Sequence, residues 1–142
     1  MSWLTERMEE ILDLLRQQSV LVGPMADDSK HMAIEASIER KVAELVHTLA
    51  ALDGVVASLA CRGEQLLASD GPLIDYVELS EATHAARWAL DKVAGSFELG
   101  AIFQTVVVGS QQKLILLGIG SITLAILAPA DLAVAEILSQ AN

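Results

Sequence analysis

Apolar positions switch repeatedly between helical and extended spacing along this chain. Leu4, Met8, Ile11 and Leu15 recur at steps of four, three and four, Leu12 widens the stripe, and Glu6, Glu9, Glu10, Asp13 and Arg16 fall off it. That spacing predicts an amphipathic helix, with Ser2 as a candidate cap. Two heptads are too few to hold a coiled coil alone, so the stripe should dock on its own domain or on a partner. "SVLVGPMADDSKH" then breaks the period with Gly23, Pro24 and Asp27, Asp28 and Ser29, and reads as a linker. A second helical pattern begins at Ile34, runs through Ile38, Val42, Leu45, Val46 and Leu49, and ends at Asp53 and Gly54.

Extended spacing follows. "VVASLAC" and "EQLLAS" flank Arg62 and Gly63, a pair suited to a tight hairpin in which Gly supplies a positive φ. After "SDGP" a third helix carries Leu79, Thr83, Ala86, Leu90 and Val93 on one apolar face. A different face of that helix presents Ala82, Ala85 and Ala89, with Trp88 and Lys92 beside it, and small residues at that spacing let a second helix approach closely. Asp131 is the expected cap of a last helix with Leu132, Ala133, Ile137 and Leu138 as its apolar residues.

The stretch from Leu114 to Ala130 runs for seventeen residues without a charge and raises the question of a membrane span. A spanning helix needs about 20 predominantly apolar residues and has no use for "GIGS" at its centre. Gly118, Gly120 and Ser121 instead cut the run into two strand-length pieces, "KLILLG" and "ITLAIL". With "AIFQTVVV" before them they form three consecutive strands joined by short turns, which must be an antiparallel meander. The order is helix, then helix, two strands, helix, three strands, helix: an α+β sandwich of two or three layers, with residues 1–33 as an N-terminal helix and linker and 34–142 as the domain.

Composition narrows the partners. A net charge of −10 with only nine Lys and Arg leaves no basic stripe for nucleic acid or for an anionic membrane surface. The single Cys61 forms no internal disulfide, no Cys or His cluster has zinc spacing, and the acids around Asp27 lack the alternation of a calcium loop. No basic leader precedes an apolar core, so the expected compartment is the cytoplasm. Catalysis finds no support, since no nucleophile elbow or acid–base pair is visible, and "GIGS" lacks the Lys and the following helix of a phosphate loop. No cofactor or metal is expected.

The most informative stretch is "IFQTVVV", which alternates Ile102, Gln104, Val106 and Val108 against Phe103, Thr105 and Val107 with no charge and no Pro. Such a strand at a sheet edge is an aggregation hazard unless another chain pairs with it. Strand-to-strand and helix-to-helix pairing in a two-fold dimer follows; a central strand flanked on both sides is the alternative.

The order of "ALDGVVASLACRGEQLLASDGP", an Ala-rich helix and "FQTVVVGSQQKLILLGIGSITLAILAPADLAVAEIL" resembles the roadblock / dynein-light-chain domain family, in its bacterial type with an extra N-terminal helix. The resemblance covers about Ile34 to Asn142. It implies a five-stranded antiparallel sheet with one helix on one face and two on the other, and a homodimer joined through the middle strand and the helix before it. It also implies service to a Ras-like small GTPase as scaffold, activator or exchange component. Carried over, the dimer residues are Ala82, Ala85, Ala89, Ile102, Phe103, Gln104, Thr105, Val106, Val107 and Val108. The partner-facing residues are His84, Arg87, Trp88 and Asp91. Arg87 is not assigned as a catalytic finger, because a lone helix Arg is commonly a surface charge. The competing class is a ligand-binding sensory module, which requires a pocket with convergent polar groups.

Overall fold

Each change of hydrophobic period marks an element in the computed structural model, which describes residues 3–20, 28–72, 76–97 and 104–140. The elements are α1 (Trp3–Val20), α2 (Asp28–Ala50), β1 (Ala57–Arg62), β2 (Gln65–Asp70), α3 (Tyr76–Ser96), β3 (Gln104–Val108), β4 (Gln112–Ile119), β5 (Ile122–Pro129) and α4 (Val134–Ser139). The strands form one antiparallel sheet in the order β2-β1-β5-β4-β3. No described helix is long and apolar enough to cross a membrane. The charge-free run is two strands, paired from Gln112↔Pro129 to Ile119↔Ile122.

Side chains alternate across this sheet, so each strand feeds two cores. Ala60, Ile115, Leu117, Ile119, Ile122, Leu124 and Ile126 are buried with Ile38, Val42, Leu45, Val46 and Leu49 of α2 and Ile137 of α4. The opposite face has a smaller apolar cluster of Leu59, Leu116 and Ala125, with Leu66, Leu79, Ala86, Leu90 and Leu114 partly buried around them and Ala57, Cys61 and Thr123 buried on the same face. The sheet is therefore well sealed on one side and thinly covered by α3 on the other. α3 lies over β1, β2 and β5.

The apolar stripe of α1 docks on its own domain. Leu4 and Ile11 are buried against α2 and β4. Polar contacts pin the helix as well: Lys41 of α2 donates to Glu10 at 3.1 Å, and Gln18 donates to Glu35, whose carboxylate also receives Arg62 of β1 at 3.1 Å.

The structure corrects three local expectations. α2 is described from Asp28, so helix already occupies the six residues before the first apolar position at Ile34 that read as linker from sequence. α4 starts at Val134 with Ala133 at the cap position and no side-chain cap, so Asp131 does not cap it; a backbone turn in which the Leu132 N–H donates to the Pro129 carbonyl takes up those residues. On α3, Val93 is 48% exposed and Ala94 is buried in its place. The hairpin at Gly63 forms as expected, with φ +58.

Candidate functional site

Two surfaces meet along α3. The first is its flank toward β3. Ala82, Ala86, Ala89 and Val93 follow one another at steps of four, three and four, and Phe97 continues them by a further four, its N–H donating to the Val93 carbonyl. Steps of this kind place all five on one stripe of a helix. Ala82, Ala89, Val93 and Phe97 are exposed, and Ala85 lies next to the stripe, also exposed. From sequence Val93 reads as part of the sheet-packing face and Phe97 is not singled out, although their spacing from Ala89 is the available signal.

Beside this stripe runs β3, which is the outermost strand and pairs only with β4. Gln104 is exposed, Thr105 and Val106 are half-buried, and Val107 and Val108 are 54% and 64% exposed. Val106 packs into the α2-side core, opposite Ile115. Val107 lies across from Leu114 on the α3 side, where it borders an apolar cavity of about 330 Å³ together with Leu79, Ala82, Ala86 and Leu127. Ile102 and Phe103 fall outside the described residues.

The second surface is a depression of about 320 Å³ where α3 crosses the ends of two hairpins. It brings together His84, Arg87, Trp88 and Asp91 with Gly63 of the β1–β2 turn and Gly120, Ser121 and Thr123 of the β4–β5 hairpin. The β4–β5 hairpin residues were not foreseen, because those that Arg87 meets lie 33 to 36 positions from it in sequence. Trp88 is 58% exposed, and the Lys92 ammonium stands 4.1 Å from its ring centroid, within cation–π range. Asp91 is exposed and His84 is half-buried.

Arg87 behaves differently from its neighbours. Its Nη1 donates to the Ile122 carbonyl at 2.7 Å and to Thr123 Oγ1 at 2.8 Å, and Nη2 donates to the Gly120 carbonyl. Its Nε stands 4.0 Å from the Asp91 carboxylate. The guanidinium thus ties α3 to the β4–β5 turn and forms the wall of the depression rather than projecting from it. Cys61 is buried nearby; desolvation pushes its thiol up, with the Arg87 charge opposing, so it is held in the unreactive form. Among the described residues no group of three His, Cys, Asp or Glu is placed to hold a metal.

No family model and no curated protein matches this sequence. Solved structures do. Myxococcus xanthus MglB aligns at a TM-score of 0.65 with 16% identity, covering 72% of this chain and 80% of that one. A Roadblock/LC7 domain from Streptomyces avermitilis aligns at 0.58 with 17% identity, covering 70% and 87%. The gliding protein MglB from Thermus thermophilus aligns at 0.61 with 14% identity, covering 70% and 78%. With its five-stranded antiparallel sheet and these likenesses, the chain has a roadblock-type α+β fold.

Proposed function

We propose that the protein is a non-catalytic homodimeric scaffold or regulator that binds a Ras-like small GTPase through the surface around Trp88. The observation that carries the dimer is the incomplete α3-side layer. β3 is an edge with neither charge nor Pro, its Val107 is exposed next to the partly buried Leu114, and Ala82 and Ala86 of the α3 stripe border the same gap. A second copy supplies both missing parts at once, a strand for the edge and a helix for the gap. The roadblock-type fold supports the GTPase as partner, and the depression at Trp88 supports the location, since exposed Trp is enriched at interface hot spots.

Light scattering on the purified protein tests the dimer. The wild type should have twice the chain mass, and Val107→Lys, which places a charge in the gap without entering the α2-side core, should yield monomer. A monomeric wild type overturns the dimer. Capture of Ras-like GTPases loaded with GDP or a GTP analogue tests the partner. Trp88→Ala should keep the fold and weaken capture by about thirtyfold, the equivalent of ~2 kcal/mol. Absence of binding in both nucleotide states overturns the GTPase reading. The sensory alternative gains nothing from the cavity beneath α3. Its lining is aliphatic apart from Thr83, whose hydroxyl donates to the Leu79 carbonyl, and Ser58, whose side chain shares the α2 side with Ile126.

A further inference from the structure

We infer that α1 is a brace for the depression at Trp88, acting through the β4–β5 turn. This inference concerns regulation of the surface assigned above and takes its importance from that reading. The turn is held from two sides. On the α1 side, Leu15 Cδ1 and Leu12 Cδ1 stand 3.3 and 3.4 Å from where a Cβ on Gly120 would project. On the α3 side, the Arg87 guanidinium holds the carbonyls of Gly120 and Ile122 and the hydroxyl of Thr123. Gly120 sits at φ +55, a conformation that favours glycine, so the turn has no side chain of its own there to fix its position. One two-residue turn therefore joins the inner face of α1 to the floor of the depression, which Gly120 and Ser121 help to form.

α1 can leave without dismantling the sheet. It packs on α2 and the end of β4 and contributes no strand. Its attachment consists of Leu4 and Ile11 in the core, the partly buried Trp3, Met8, Leu12, Leu14 and Leu15 packed against it, and the polar pairs Glu10–Lys41 and Gln18–Glu35. A helix held by one face, adding no strand to the sheet, opens locally at lower free energy than the core strands. When α1 opens, Gly120 loses its rear support, the acceptors of Arg87 move, and the depression loses its set shape. By linkage, a ligand that fills the depression tightens α1, and whatever captures the α1 stripe weakens binding at Trp88.

The test uses the full chain in a Trp3→Phe background, which leaves Trp88 as its one tryptophan. Leu12→Ala with Leu15→Ala removes the brace and leaves the depression untouched. Amide exchange of Ile122 and Thr123 should accelerate by about tenfold or more relative to Leu59 and Leu124, and acrylamide should quench Trp88 more efficiently. If the amides of α1 exchange faster while Ile122, Thr123 and Trp88 stay unchanged, or if all amides accelerate equally, the brace is overturned. Should the double variant fail to fold, Gln18→Glu sets a second carboxylate against Glu35 and loosens α1 from its surface; the same amides and the same quenching then support or overturn the brace in the same way. No GTPase enters these measurements. A failed capture experiment therefore leaves the brace standing, and an unresponsive turn leaves the GTPase reading standing.

Discussion

A guanidinium that places three hydrogen bonds on one hairpin is a structural tie, and its removal should be felt in stability. Arg87→Met should lower the unfolding free energy by about 2 kcal/mol in urea titrations, because hydrogen bonds to a charged donor are worth roughly 1.5–3 kcal/mol and the part-buried Ile122 carbonyl and Thr123 hydroxyl would lose their donor. Arg87→Lys should recover little, since a single ammonium does not reproduce the planar fork. From sequence, Arg87 was visible only as a cation on α3, because its acceptors lie 33 to 36 residues away. Local periodicity cannot report a contact of that range. The exchange of Val93 for Ala94 in the buried face has a different cause. Leu79, Thr83, Ala86 and Leu90 alternate steps of four and three, but a 3.6-residue helix drifts from that rhythm, and the next buried position comes four residues on, at Ala94. Val93, displaced from the core side, joins the exposed stripe.

At the scale of elements, strand positions were legible because inward and outward residues alternate, and the short turns of the meander left no freedom in pairing direction. The position of α1 was not legible: its stripe shows that it docks, while its docking site is made by α2 and β4 together. Its polar pins predict a pH response. Hydrogen bonds from Lys41 and Arg7, in that order, hold the Glu10 carboxyl below its usual range. At Glu35, burial alone would raise the carboxyl, but the bonds from Gln18 and Arg62 outweigh it, His31 adds to them, and the net direction is down. Depressed carboxyls stabilise the docked state above the unfolded value near 4.5, and that contribution disappears as pH falls through and below it. Between pH 7 and pH 3.5, α1 amides should therefore lose protection before those of β1 and β5, and moderate salt at pH 7 should reproduce a smaller part of the loss. The two sheet edges also differ. β2 follows Glu64, ends in Asp70 and faces an irregular register at Ala60 and Cys61, whereas β3 has no such device.

For the molecule as a whole, the sheet order has a consequence for how the chain comes into being. β5 is central: it pairs β1 on one side and β4 on the other, and Ile122, Leu124 and Ile126 are fully buried. It is also the last in sequence of the described strands. During synthesis the β1–β2 hairpin and α2 emerge long before the strand that completes their sheet, and their apolar face and open edge must wait for it. A chain ending at Ser121 should accordingly show no cooperative thermal transition by circular dichroism, whereas one ending at Ala130, which keeps β5 and loses only α4, should melt cooperatively at a lower temperature. Until Ile122 to Pro129 leaves the ribosome, the nascent chain offers an incomplete sheet that chaperones can hold and that two neighbouring polysome chains can join in error.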